Sequence, residues 1–208
     1  MFRMTVAVLL VLSAVALAGP GKFNKVLAPG DAAPEWKDLE GTDGKKHSFA
    51  DFKDKDVLVV VFTCNTCPVA EGYEDRLIAF AKEFAGEKAK VGFVAINPNT
   101  GKGDTLDDMT KRAKKKEFPF AYLSDTTQEV TKKYGAMYTP EFFVLNKDRK
   151  VVYTGAMDDK APPGEAKVKH LEAAVAAALA GKKIDTTETS AAAGCKIKIK
   201  ETKKDEDK

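Results

Sequence analysis

The chain has 208 residues, 44% of them hydrophobic, with 34 basic side chains against 31 acidic and a net charge of +3. That length accommodates one domain of ordinary size with appendages, and a surface so mixed in sign gives no case for nucleic acid or an anionic membrane as partner. Three cysteines are too few for a disulfide scaffold, and the odd count leaves one thiol to be accounted for.

Residues 1–18 read as a signal peptide. Arg3 supplies a positive start, Thr5 to Leu17 is uncharged and apolar, and Ala16-Leu17-Ala18 is a small-x-small cleavage signal. A spanning helix needs about 20 apolar residues, and this run stops short of that at Gly19-Pro20. The expectation is an exported protein, periplasmic or secreted after cleavage near Ala18, with no stable membrane insertion afterwards. In such a compartment disulfides persist.

Residues 19–33 form a flexible lead-in, and a single domain is expected over 34–182. Glu35 to Leu39 and His47 to Phe49 read as short strands about the turn Gly41-Thr42-Asp43-Gly44. Val57 to Phe62 is a continuous apolar strand. It runs into a helix whose stripe is Tyr73, Leu77, Phe80 and Phe84, ending near Gly86. Val91 to Ile96 is a second buried strand. Asp104 or Thr105 can cap a helix to about Lys116, and Asp125 or Thr126 a shorter one to Tyr134. Glu141–Leu145 and Val151–Thr154 form a hairpin, followed by a helix presenting Val168, Leu171, Val175 and Leu179 on one face. Strands alternating with helices, then a hairpin and a helix, imply an α/β domain with a central mixed sheet and helices on both faces. Residues 183–208 are a Thr-, Ala- and Lys-rich tail that carries Cys195 and has a mobile lysine-rich end.

The chemistry-bearing motif is Cys64-Asn65-Thr66-Cys67, set where the first buried strand meets its helix. A helix N-terminus offers free N–H groups and partial positive charge, which stabilise a thiolate. The reactive form of cysteine is the thiolate, and a second thiol in reach can close a disulfide. A bare CxxC can also be half of a zinc site or a structural local disulfide. Zinc needs four ligands, and the remaining candidates, Cys195, His47 and His170, are isolated in sequence. No cofactor is expected. In the redox reading Cys64, nearer the helix start and exposed at the strand's end, is the attacking thiolate, and Cys67, one turn in, is the resolving thiol. Thr139-Pro140 stands directly before the hairpin, where an X–Pro bond can be cis or trans. Cys195 lies in an alternating segment that can fold back as an edge strand. It is either a further resolving or partner-linking thiol or a small half-buried residue.

A CxxC at a strand-to-helix junction, a Thr-Pro before a β-hairpin and a final helix together resemble the thioredoxin fold. The segments FTCNTCPVAEGYEDRL, FPFAYLSD, YGAMYTPEFFVLNKDRKVVYTGAMDD and GCKIKIK are similar to the peroxiredoxin-like, redoxin-group proteins of that superfamily. The resemblance implies a thioredoxin-like core with an N-terminal β extension, a cis proline at Pro140, and a Thr139-Pro140 loop that docks the substrate backbone. Two departures matter. Val60 and Cys64 stand where the peroxiredoxin pattern has its proline and threonine, which weakens a thiol peroxidase reading. Leu58 stands where thioredoxins bury an aspartate.

The resulting expectation is an exported thiol–disulfide oxidoreductase acting on protein or small-molecule disulfides with an unidentified electron donor. A peroxiredoxin-like thiol peroxidase is the alternative, and a non-catalytic protein binding copper through its thiols is a third reading.

Overall fold

The computed structural model describes residues 20–86 and 89–200. The signal-peptide segment and the lysine-rich end beyond residue 200 lie outside the described residues. Strand β3 (Val57–Phe62) is the axis of the fold, and every one of its six residues is fully buried. It pairs in parallel with β4 (Val91–Asn97) and antiparallel with β7 (Glu141–Leu145). Beyond β4 lie β5 (Ala121–Ser124), β1 (Leu39–Gly41) and β2 (Lys46–His47); beyond β7 lies β8 (Val151–Gly155). The sheet is therefore mixed, with order β2-β1-β5-β4-β3-β7-β8.

A buried strand with helices on both faces needs apolar side chains at every position, because successive residues point to opposite sides. β3 meets this demand. Val57, Val59 and Val61 face a layer made by α1 (Pro68–Phe84), α2 (Leu106–Lys116) and α4 (His170–Leu179) through Leu77, Phe80, Met109, Leu171 and Val175. Leu58, Val60 and Phe62 face the opposite layer, where α3 (Glu129–Tyr134) contributes Val130 and Tyr134 and the N-terminal segment adds Leu27 and Trp36. The fold is thioredoxin-like, as the sequence leads one to expect.

Details differ from the sequence reading. Residues 35–38 are not a strand: Asp38 has φ 54°, which breaks the extension, and Trp36 instead packs edge-on against Phe49 at 4.9 Å. Phe49–Phe52 is a short 3-10 turn opened by the reciprocal hydrogen bonds of Ser48 and Asp51. β5 was not expected as a strand; four residues are too few to show a period. In α4 only Leu171, Ala174 and Val175 are buried; Leu179 is exposed, and so is Val168, which lies before the helix begins.

The segment after Lys183 buries little beyond Ala191 and Ile197, yet it is held to the domain at several points. Thr154 donates its N–H to Thr187 and accepts one from Thr189. β9 (Cys195–Lys196) pairs antiparallel with β6 (Tyr138–Thr139), and Ile197 is buried beside Tyr134 and Phe143 in the same core layer. Gln128 clasps the strand end, donating to the Lys198 carbonyl at 3.0 Å and accepting from the Lys200 N–H at 2.7 Å.

Phe143 is fully buried between Phe62 and Tyr134, with ring centroids 5.7 and 5.2 Å away. Phe143→Ala is expected to cost about 3–5 kcal/mol. Urea denaturation checks this, and a loss below about 1 kcal/mol would mean the layer is looser than described.

Candidate thiol site

The end of β3 delivers the chain into the loop Thr63–Thr66, and Cys67 caps α1. Its sulfur accepts the Ala70 N–H at 3.4 Å, and Pro68 follows at the first helical position, where an absent N–H leaves nothing unpaired. Cys64 was expected to sit nearest the helix start. Cys67 holds that place instead, and Cys64 lies three residues before it.

Cys64 is 3% exposed. Burial pushes its thiol above the ordinary value; a hydrogen bond with the Thr139 hydroxyl works against this, and the negative charge of Asp104 adds to it. In this state Cys64 is therefore a proton-holding thiol and not the stabilised thiolate that helix polarity alone suggests.

Thr139 joins the site from the other side. Its hydroxyl is 3.2 Å from the Cys64 sulfur, and its carbonyl oxygen is 3.2 Å from the Cys67 sulfur. The Thr139–Pro140 bond is cis. Opposite Thr139 in the β6–β9 ladder stands Cys195, and it is bonded to Cys67 with a Cα–Cα separation of 5.8 Å. The disulfide thus runs from Cys67 to Cys195 and not within the CxxC pair, and Cys64 is left free. The reason is topological: β9 folds back onto β6, bringing a residue 128 positions away to the same sulfur.

Asp104 was read as a helix-cap candidate, but Thr105 takes that role by accepting the Asp108 N–H. Asp104 is 2% exposed and aims its carboxylate at the cysteine loop. It accepts the Asn65 N–H at 2.7 Å, the Thr66 hydroxyl at 2.5 Å and the Asn97 amide at 3.0 Å. Tyr122, whose hydroxyl burial pushes well above its ordinary value, donates to the Asn65 side chain at 3.0 Å. Nothing in the sequence marks these residues: Asn97 and Asp104 flank a Gly- and Asn-rich stretch without a period, and Tyr122 lies in the four-residue β5. Only the fold-back of that stretch beside β3 reveals the work. Gly103 sits at φ 91° in that loop, and its carbonyl accepts the Asn65 amide at 2.9 Å.

A groove of about 510 Å³ opens over these sulfurs, lined by Cys64, Cys67, Thr139 and Cys195 and rimmed by Lys102, Lys196, Lys198 and Lys200. Among the described residues no group of three or more His, Cys, Asp or Glu is placed to hold a metal ion, and no helix is long and apolar enough to cross a membrane. His47 pairs with Asp43 at 3.0 Å, and His170 begins α4.

Fold and thiol cluster together define a thioredoxin-fold protein of the peroxiredoxin-like kind. The Redoxin family model matches residues 28–175, and the chain belongs to that family. It is an oxidoreductase acting on thiol and disulfide groups. Two solved structures are similar over most of their length. One is an uncharacterized conserved protein from Geobacillus kaustophilus, at 34% identity, covering 89% of this chain and 100% of that one, with TM-score 0.77. The other is a hypothetical protein from Sinorhizobium meliloti 1021, at 33% identity, covering 84% and 96%, with TM-score 0.74. A peroxidoxin from Mycobacterium tuberculosis shares the fold at 20% identity, covering 74% and 95%, with TM-score 0.54. The curated proteins yield no match.

Asp104→Asn removes the negative charge that faces Cys64 while leaving a similar shape. The Cys64 thiol should then titrate lower, so the midpoint of its alkylation-rate profile against pH moves down and the rate at pH 8 rises several-fold. In the wild type the rate should still be climbing above about pH 8.5, the ordinary cysteine value. The same change should cost about 1–3 kcal/mol, because an acceptor of several hydrogen bonds is lost in a buried place. An unmoved midpoint would refute the electrostatic role.

Proposed function

We propose that this is an exported thiol–disulfide oxidoreductase that passes an electron pair between a dithiol donor and the disulfides of proteins or small molecules. Cys64 is the attacking sulfur, Cys67 the resolving one, and the Thr139-Pro140 loop supports the substrate strand. The observation that carries the reading is the meeting of the Cys64 and Cys67 sulfurs on one residue, Thr139, across the Thr139-Pro140 loop.

The chemistry balances simply. The Cys64 thiolate attacks a substrate sulfur, forming a mixed disulfide and releasing the other substrate sulfur as a thiolate that takes up a proton. The Cys67 thiolate then attacks the Cys64 sulfur, closing Cys64–Cys67 and freeing the second substrate thiol. One disulfide is reduced and one dithiol oxidised. The four lysines on the groove rim favour substrates with acidic residues beside the disulfide.

Cys64→Ser should abolish dithiol-dependent disulfide reduction, measured with a fluorescent peptide disulfide; an unchanged rate would sink the assignment. With a peptide carrying acidic flanks, kcat/KM should fall as salt rises from about 0.01 to about 1 M, because screening shortens from about 30 to about 3 Å. A neutral peptide should show little change. Export is supported by the charged start, apolar run and small-x-small site of residues 1–18. N-terminal sequencing of the secreted or periplasmic form should begin at Gly19, and a mature chain starting at Met1 would contradict it.

A further inference from the structure

We infer that Cys195 is a third redox thiol, and that the disulfide formed by the cysteine pair is handed on to Cys67–Cys195, with Cys67 the sulfur shared by both. The inference rests on the CxxC reading above and adds a step to it.

Three observations converge. First, all three sulfur-bearing residues are gathered around Thr139: Cys64 on its hydroxyl, Cys67 on its carbonyl, and Cys195 opposite it in the β6–β9 ladder. Directly opposed residues of an antiparallel pair hold their Cβ atoms about 4.5–5.5 Å apart, so the register itself delivers Cys195 to the pair. Second, the fold spends specific residues on this approach. A Cβ on Gly194 would stand 2.5 Å from the Thr139 carbonyl oxygen, so only glycine lets β9 lie this close. Ile197 anchors the strand in the core and donates its N–H to Met137 at 2.8 Å, while Gln128 holds the backbone just beyond. Third, the two ends of the Cys67–Cys195 bond differ in access: Cys67 is 2% exposed, whereas Cys195 is half-buried at the wall of the groove.

The step is an internal exchange. The Cys195 thiolate attacks the Cys67 sulfur of a Cys64–Cys67 disulfide. The Cys67–Cys195 bond forms, the Cys64–Cys67 bond breaks, and Cys64 leaves as a thiolate that is then protonated. No electrons enter or leave, since one disulfide replaces another. The structure has the bonding of the product: Cys67 joined to Cys195, with Cys64 a buried free thiol. Held protonated, Cys64 is a poor nucleophile toward the bond it has just surrendered. The dithiol donor then reduces Cys67–Cys195, entering at Cys195, the sulfur that the groove exposes. Substrate and donor thus meet different sulfurs.

The test is a single-turnover experiment on the purified chain. Fully reduced protein is mixed with one equivalent of a peptide disulfide, quenched with acid at intervals, alkylated, and its disulfides mapped by mass spectrometry. Wild type should show Cys64–Cys67 first and Cys67–Cys195 later, with Cys64 returning to the alkylated pool. Cys195→Ser and Cys195→Ala should still form Cys64–Cys67 and go no further. In steady state with a protein dithiol donor they should lose at least tenfold. Circular dichroism of both variants separates this from misfolding. If wild type stops at Cys64–Cys67, or both variants turn over normally, the relay is overturned and the CxxC reading stands. If Cys64→Ser forms Cys67–Cys195 as fast as wild type, both fall. If Cys67–Cys195 cannot be reduced by the donor without unfolding the chain, that bond is purely structural and the relay is again overturned.

Discussion

Thr139 is where the molecule closes on itself. One residue presents its hydroxyl to Cys64, its carbonyl oxygen to Cys67 and its backbone to β9. For that to happen β3, α1, β7 and the C-terminal segment must all end at one place. β3 and β7 do so because they pair antiparallel in the core, with Phe62 opposite Glu141, so the start of one strand lies beside the end of the other. The cluster is a consequence of register. A slip of one residue would turn the slipped strand inside out and separate the sulfurs from Thr139.

Around this point the polar groups are arranged to fix the loop rather than to charge it. Asp104 accepts from a backbone amide, a hydroxyl and a side-chain amide, so its charge is spread over donors belonging to Asn65, Thr66 and Asn97. The loop is held rigid, yet the same carboxylate opposes ionisation of Cys64, as burial does. Positioning and activation pull in opposite directions here. The balance in this disulfide state favours a precise but quiet thiol.

Much of this was legible in the sequence, and the limits are physical. β3 and β4 announce themselves as unbroken apolar runs, and CxxC, Thr139-Pro140 and the hairpin mark the junctions. Asp104 was hidden because a carboxylate before a helix reads equally well as a cap; choosing Thr105 for that task requires knowing where the loop turns. Cys195 was recognised as unassigned but not paired, since no local period ties a residue to a partner 128 positions away. The docking of residues 187–199 was obscured for a related reason. Its stability comes from Gln128, Thr154 and the buried Ile197, not from its own composition.

The central strand carries one more consequence. Val57-Leu58-Val59-Val60-Val61-Phe62 is six residues of high β-propensity without charge, proline or glycine, the composition of segments that stack into amyloid-like zippers. In the native sheet both its edges are occupied by β4 and β7. An unfolded chain has no such cover. Immediately before the run stand Lys53-Asp54-Lys55-Asp56, four charged residues that would be costly to bury in a growing fibril and act as gatekeepers for it. The strand that organises the fold is thus also its chief aggregation hazard, restrained by neighbours in space once folded and by neighbours in sequence before.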